Sequence, residues 1–282
     1  MPEGFKEHGG IVVCQVDRIT AVWKEDYMKK YAVITGASSG IGMEFAKRLA
    51  AKGYTPVLVA RREERLKLLA KRLKTECEVF AADLTQRAEC EQLCEWLSEK
   101  NVEVFINNAG FGDCGEFVET DLDKDLDMIR LNVAALHLLT KRMIRRFEER
   151  GSGYLLNVAS CAGLLPAGPY MATYYATKAY VTSLTRAVAQ ELEEAGSGVY
   201  VGCLCPGPVD TEFNAVANVE FALKGIRPGY CAGYALDMMF RKKKTVIVPT
   251  LLMKFAAAGA KLLPAKAAVM AAGWQQKRKV RL

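Results

Sequence analysis

A tyrosine and a lysine four positions apart, Tyr174 and Lys178, are the residues of this chain best suited to moving a proton. The stretch 173–194 has the patterning of a helix, and residues four apart on a helix share a face. An ordinary phenol, with a pKa near ~10, is a poor base at neutral pH. A cation a few ångströms away favours the phenolate and lowers that value. Such a pair makes a general acid–base able to work near neutrality. Two solvated side chains would show the same spacing, so the surrounding elements must decide.

A glycine-rich turn near the start supplies the first of them. Tyr31-Ala32-Val33-Ile34 is an apolar run long enough for a buried strand, and it leads into Thr35-Gly36-Ala37-Ser38-Ser39-Gly40-Ile41-Gly42. Residues 43–52 then read as a helix, with Phe45, Ala46, Leu49 and Ala50 on one face and Gly53 at its end. Strand, glycine turn and helix form the context a dinucleotide site requires. The glycines let the backbone approach a pyrophosphate, and the helix start offers free N–H groups and the positive end of its dipole. The spacing is G-x-x-x-G-x-G rather than the commoner G-x-G-x-x-G, and an ordinary tight turn remains the alternative.

Further motifs follow in order: Asp83-Leu84, Asn107-Asn108-Ala109-Gly110, Asn132, Ser160, Tyr174-x-x-x-Lys178 and Pro206-Gly207-Pro208-Val209-Asp210-Thr211. With the glycine turn, they make residues 29–250 resemble the classical short-chain dehydrogenase/reductase family. The resemblance implies a doubly wound parallel sheet of the Rossmann type and hydride transfer between NAD(H) or NADP(H) and a carbonyl or alcohol carbon. It implies that Tyr174 is the acid–base, that Lys178 lowers its pKa and holds the nicotinamide ribose, and that Ser160 hydrogen-bonds the substrate oxygen. Asn132 would hold a water linking Lys178 to solvent. The cofactor contacts it implies are Gly36, Ser38, Ser39, Gly40, Ile41 and Gly42 in the glycine turn, with Asp83 and Leu84 at the adenine. Asn108, Ala109 and Gly110 would line the adenosine side. Pro206 and Gly207 join these contacts, and Val209 and Thr211 would hold the carboxamide. One departure is that Ser160 lies fourteen residues before Tyr174, where the family more often shows thirteen; the loop 163–173 is expected to absorb the difference.

Charge bears on the cofactor. In dinucleotide folds an acidic residue about 20 positions past the glycines hydrogen-bonds the ribose 2′-hydroxyl of NAD and would repel a 2′-phosphate. Here the second strand ends Val57-Leu58-Val59-Ala60, with Arg61 and Arg62 following. Ala60 replaces the acid, and a guanidinium suits a phosphate. NADP(H) is therefore expected, with Arg61 the better placed arginine.

The rest of the composition fits one α/β domain. Of 282 residues 51% are hydrophobic, enough for a sizeable core. Apolar runs at 32–35, 56–60, 77–82, 104–107, 153–159, 199–205 and 245–248 alternate with helical patterns, as expected for parallel strands buried on both faces. There are two histidines, His8 in an irregular extension and His137 on an apolar helix at 131–144, where packing is the simplest role. That speaks against a Ser-His-Asp hydrolase. Nine cysteines without a C-x-x-C speak against a zinc site and fit free thiols in a reducing compartment. With no secretory signal pattern in the first residues, a cytosolic protein is expected. Apolar residues after Ser160 (Ala162, Leu164, Leu165) and after Thr211 (Phe213, Val216, Phe221, Ala222, Leu223) suggest a hydrophobic substrate. The resemblance points to the hydroxysteroid dehydrogenase or carbonyl reductase branch. The alternatives are a 3-oxoacyl-thioester reductase and a catalytically silent NADP-binding module.

Both ends are unusual. Residues 1–27 precede a family-like start at Met28-Lys29-Lys30. Lys24-Glu25-Asp26 can be encoded by a purine-rich bacterial ribosome-binding sequence, so 1–27 is either translated leader, hinting at a bacterial source, or a real arm with Ile11-Val12-Val13 as a strand. The catalytic domain is then 28–250, with an apolar, basic helical extension at 251–282. After Asp237 there are eleven basic residues and no acidic one; without those eleven, the chain's 39 basic against 32 acidic residues become 28 against 32. The apolar runs of the extension are interrupted by lysines and fall short of a membrane span. Contact with the body or with a second subunit of a homo-oligomer is expected ahead of contact with a membrane surface, and residues 277–282 are expected to be disordered. Nucleic-acid binding is not expected, because no aromatic-interleaved basic platform is present.

Overall fold

The apolar runs become the strands of a single parallel sheet. The computed structural model describes residues 29–217, 224–242, 244–260 and 262–277. Its strands are β1 (Tyr31–Thr35), β2 (Thr55–Ala60), β3 (Glu78–Ala81), β4 (Val102–Asn107), β5 (Gly153–Val158), β6 (Val199–Leu204) and β7 (Val246–Ile247). Their order is β3-β2-β1-β4-β5-β6-β7, with every pair parallel. The order reverses between β1 and β4, and in such sheets a crevice opens there at the carboxyl ends of the strands. The expected doubly wound fold is therefore the observed one.

The helices are α1 (Gly40–Ala51), α2 (Glu63–Leu73), α3 (Arg87–Trp96), α4 (Leu122–Ile129), α5 (Leu136–Arg150), α6 (Ala172–Glu194), α7 (Phe213–Val216), α8 (Pro228–Phe240), α9 (Leu251–Ala260) and α10 (Ala265–Lys277). A π-helical turn, Arg130–Ala135, joins α4 to α5, and a 3-10 turn, Cys161–Leu164, precedes α6. Successive strand residues face opposite sides of a sheet. Tyr31 and Val33 accordingly enter a cluster with Leu93, Phe105, Leu139 and Phe147. Ala32 and Ile34 enter the other, with Phe45, Leu49, Leu58 and Met239. Burying each large apolar side chain stabilises the fold by about 1.5–3 kcal/mol.

A buried polar chain crosses the sheet next to the crevice. Asn107 Nδ2 donates to the Leu136 carbonyl (3.0 Å) and to Thr140 Oγ1 (3.3 Å). Thr140 donates to Asn157 Oδ1 (3.1 Å), and Asn157 Nδ2 donates to Thr185 Oγ1 (3.0 Å). The chain fastens α5 and α6 to the ends of β4 and β5, so that Tyr174 and Lys178 ride on a helix fixed to the sheet.

Some local expectations are corrected. Helix α1 starts at Gly40 rather than at residue 43, so the second and third glycines form its first turn, with Met43 N bonding to the Ser39 carbonyl (3.3 Å). The apolar helix expected at 131–144 is present but longer, running from α4 through the π segment into α5. His137 is not simply packed: it is half-buried, and its Nδ1 lies 2.7 Å from the Tyr180 hydroxyl. Strand ends shift by one or two residues; β4 begins at Val102, and 245–248 narrows to two strand residues. The expectations for residues 1–27 and for Phe221, Ala222 and Leu223 lie outside the described residues, as does most of 277–282, of which Lys277 closes α10. Helix α10 buries Ala268, Ala272, Gly273 and Gln276 and brings Gly273 against Pro169 in the loop before α6, whereas α9 buries none of its residues.

Candidate active site

The glycine turn leaves β1 with Gly36 at φ 66° and Gly40 at φ 57°, a region costly for other residues. At Gly42 a Cβ would stand 2.3 Å from the Gly36 carbonyl oxygen, so the turn closes only without a side chain. Ser39 is the extended N-cap of α1; its side chain makes no capping bond, and the first turn holds no acidic residue. The opening N–H groups of α1 are thus left to the crevice, which Gly36, Ser38, Ser39, Gly40 and Ile41 line. This is a cradle for an anionic group such as a pyrophosphate.

The loop after β4 is tied to that turn. Asn108 Nδ2 donates to the Thr35 carbonyl (2.9 Å), while the Asn108 and Ala109 amides donate to Thr35 Oγ1, each at 2.9 Å. Asn132, in the π turn and fully buried, clamps the loop further along. Its Oδ1 accepts from Phe111 N (3.1 Å) and its Nδ2 donates to the Phe111 carbonyl (2.8 Å) and to Thr177 Oγ1 (3.2 Å). At Gly110 a Cβ would meet that Oδ1 at 2.7 Å and Lys178 Nζ at 3.4 Å. The Asn132 side chain thus holds 110–111 beside Lys178. Asp83, after β3, shapes its own turn by accepting from Thr85 N (3.1 Å) and Thr85 Oγ1 (3.0 Å); with Leu84, Asn108, Ala109 and Gly110 it lines the crevice.

Ser160, Tyr174 and Lys178 meet on the other side of β4. Ser160 caps the 3-10 turn, its Oγ accepting from Ala162 N (3.1 Å), and it stands close enough to the Tyr174 phenol to favour its ionised form. Lys178 Nζ donates to the Val158 carbonyl (2.9 Å) and stands 5.9 Å from the centre of the Tyr174 ring. Burial lowers the Lys178 pKa to about 8. Burial also holds the Tyr174 phenol above its ordinary value, and Ser160 only partly offsets this. The depressed phenol expected from the Tyr174–Lys178 spacing is not what the protein alone shows: desolvation dominates, and the group opposing it is Ser160. The arrangement is thus a protonated phenol and a serine hydroxyl side by side in a cavity, next to an ammonium poised near neutrality.

The arginines after β2 differ from expectation in detail. Arg62, rather than Arg61, reaches the glycine turn, with Nη2 donating to Ser38 Oγ (3.1 Å). Arg62 Nη1 (3.1 Å) and Arg65 Nη1 (2.8 Å) also converge on the Glu212 carboxylate, which both hold below the usual carboxylate range. Arg61 lines the same crevice. Two guanidinium groups therefore gather one anion beside Ser38. Arg65 and Glu212 were not read from the sequence; they stand 147 positions apart, and no local pattern links them.

A cavity of 640 Å³ runs from this arginine cluster past Tyr174. Pro206, Gly207, Val209 and Thr211 form one edge, with the Cys161 amide donating to the Pro206 carbonyl (2.8 Å) and Thr211 packed against Gly40. Beyond Tyr174 the wall is mostly apolar: Leu165, Met171, Phe213, Val216, Leu252 and Met253. Tyr175 and Gln276 add a hydrogen-bonded polar pair. Gln276 comes from α10, and nothing in its sequence context marked it.

The comparisons agree with this geometry. The short chain dehydrogenase family model matches residues 30–220. The chain is 34% identical over 186 residues to a very-long-chain 3-oxoacyl-CoA reductase of Neurospora crassa, covering 62% of this chain and 56% of that protein. It is 32% identical over 205 residues to the human inactive hydroxysteroid dehydrogenase-like protein 1, covering 69% of this chain and 61% of that one. The chain thus spans less than two thirds of the length of either relative. A solved short-chain dehydrogenase from Sphingobium yanoikuyae in complex with NADPH superposes with a TM-score of 0.74 at 33% identity, covering 83% of this chain and 94% of that one.

Proposed function

The chain belongs to the short-chain dehydrogenase family of oxidoreductases, and on that premise we propose that it reduces the carbonyl, or oxidises the secondary alcohol, of an apolar substrate with NADP(H). The observation that carries this reading is the meeting of Ser160, Tyr174 and Lys178 in the lining of one cavity with an apolar wall, with Lys178 one helical turn from Tyr174. The nicotinamide, when bound, supplies or accepts the hydride. Ser160 and Tyr174 hold the substrate oxygen between their hydroxyls. In reduction Tyr174 gives that oxygen its proton; in oxidation it takes one. Lys178 favours the phenolate that reduction leaves. The glycine turn and the start of α1 hold the pyrophosphate, the 108–110 loop and Asp83-Leu84 the adenosine side, and residues 206–211 the carboxamide end.

The preference for NADP(H) rests on Ala60 in place of an acid and on Arg62 and Arg65 converging on the Glu212 carboxylate, which stands where a 2′-phosphate would be drawn. Exposed ion pairs of this kind contribute only about 0–1 kcal/mol, so a phosphate can displace Glu212 at little cost. Within the apolar class, a steroid or similar bulky ketone is the first reading. A 3-oxoacyl thioester is the second, favoured by the resemblance to the Neurospora crassa reductase. The test is NADPH oxidation against steroid ketones, other bulky ketones and 3-oxoacyl thioesters. Turnover on at least one class is expected, with NADH markedly poorer. NADPH binding without turnover on any class in either direction would identify a silent cofactor-binding module.

A further inference from the structure

The two C-terminal helices carry apolar side chains on the outside. None of the ten residues of α9 is fully buried. At the helical period, its half-buried residues Met253, Ala257 and Ala260 share one side, and Leu251, Leu252 and Phe255 stand on the other, with Phe255 73% exposed. On α10, buried Ala268, Ala272 and Gln276 form the inner stripe. Opposite them, Lys266, Met270 and Trp274 follow one another at i, i+4 and i+8, with Lys277 on the same flank one turn later. Leu262 and Leu263, between the helices, are also exposed. Besides Leu252 at the cavity, six large apolar side chains are therefore exposed on consecutive elements, and exposed apolar surface of that size marks an interaction surface.

Charge selects the occupant. The described residues of α9 and α10 carry Lys254, Lys266 and Lys277 and no acidic residue. A second copy in a two-fold contact through these helices would set the lysines against their own copies, because such an interface is self-complementary. A surface of fixed negative charge over an apolar interior complements it on both counts. No helix among the described residues is long and apolar enough to cross a membrane, so the fitting geometry is a helix pair lying in the interface plane.

We infer that α9 and α10 dock the protein on an anionic lipid surface. Leu251, Phe255, Leu262, Leu263 and Met270 enter the acyl boundary, Trp274 sits at the headgroup level, Lys266 extends to lipid phosphates, and Lys277, which rests over the Tyr170 ring 5.6 Å from its centre, adds positive charge at the margin. Helix α9 also lends Leu252, Met253 and Ala256 to the wall of the 640 Å³ cavity. Docking therefore brings that wall to the bilayer.

The experiment is co-sedimentation of the full chain with phosphatidylglycerol–phosphatidylcholine vesicles and with phosphatidylcholine vesicles alone. Binding to the anionic vesicles, weakened by salt, is expected, with little binding to the neutral ones. Each lysine near a charged surface contributes about 1 kcal/mol, so reversing two lysines in the Lys266→Glu/Lys277→Glu variant should weaken binding by about tenfold or more. The Phe255→Ser/Trp274→Ser variant should weaken it comparably, and both should keep the wild-type melting temperature. The tryptophan emission shift on binding should vanish in Trp274→Phe. Absence of binding by the wild type, or binding untouched by both double variants, would overturn the inference. So would a dimer in sedimentation velocity that Phe255→Ser dissolves, since the face would then belong to a second copy. Turnover enters none of these readouts, so their failure leaves the oxidoreductase reading standing.

Discussion

Two walls of one cavity are built in opposite ways. On the glycine wall, Gly36, Gly40 and Gly42 press backbone against backbone, and Thr35, Asn108 and Asn132 fasten the loops with hydrogen bonds that leave little play. On the apolar wall, α9 buries none of its residues and α10 only a narrow stripe, and the lining side chains Leu252 and Met253 come from a helix held on one side. A wall that must meet an invariant group can be fixed by backbone geometry. A wall that meets a variable, apolar group is made of side chains on separable elements, and the difference separates a rigid holder from an adaptable one.

The comparison can be broken at the point where the walls meet. Tyr174→Phe should lower turnover by about 10²–10⁴-fold, the usual contribution of a general acid–base, while NADPH titrations stay close to wild type. Turnover within a few-fold of wild type would remove Tyr174 from the chemistry. Tyr175→Phe, which touches only the Gln276 pair, should change substrate preference more than rate.

Lys178 offers a pH test. Burial lowers its ammonium to about 8 from 10.5. Across that interval the unfolded chain binds a proton that the folded chain does not, so this lysine makes the folded state gain stability as pH rises, by up to about 1.4 kcal/mol per unit. Below pH 8 the contribution is flat and unfavourable. The unfolding free energy of wild type minus that of Lys178→Met should therefore climb between pH 8 and about 10. A level difference would show that the lysine is solvated.

The same substitution should act with opposite sign on the two walls. Gly42→Ala forces a methyl into the Gly36 carbonyl and should destabilise by about 1–3 kcal/mol. Gly259→Ala in α9 meets nothing within 4 Å and should stabilise by about 0.5–1 kcal/mol, because glycine disfavours a helix interior. Denaturant unfolding of both variants reads the contrast. Among the arginines, Arg62→Ala should weaken NADPH by about tenfold or more, as expected for loss of a charge-assisted contact, with NADH nearly unchanged. Arg61→Ala should do less. Equal losses for both cofactors would count against a 2′-phosphate site.

The glycine wall was legible in the sequence because local rules write it. A strand, a turn that needs glycine and a helix start are each a few residues long, and the Tyr174–Lys178 spacing is one helical turn. What stayed hidden depends on distant pairs. Arg65 meets Glu212 only because α2 and the segment before α7 close over the same crevice. Asn132 sits in a π segment of a continuous helix, a local widening that its apolar neighbours do not predict, and spends its amide on Phe111. Gln276 reaches Tyr175 because α10 folds back onto the loop before α6. The direction of the Tyr174 shift was also out of reach, since it depends on how much water the finished cavity excludes.

Asn107 and Asn157 sit directly across from one another in the β4–β5 register. The flanking runs, Val-Glu-Val-Phe-Ile and Gly-Tyr-Leu-Leu, are buried on both faces along most of their length, so hydrophobic pattern alone fixes their alignment poorly. Sliding one strand past the other by two residues would keep each side chain on its own face. It would also pull the two amides apart and strand them from Thr140 and Thr185, at a cost of about 1–3 kcal/mol for each unpaired buried group. The amides thus act as an alignment pin between featureless strands. The height at which the crevice floor stands, and with it the level of Tyr174 above the sheet, is set by a pair of side chains outside the cavity lining.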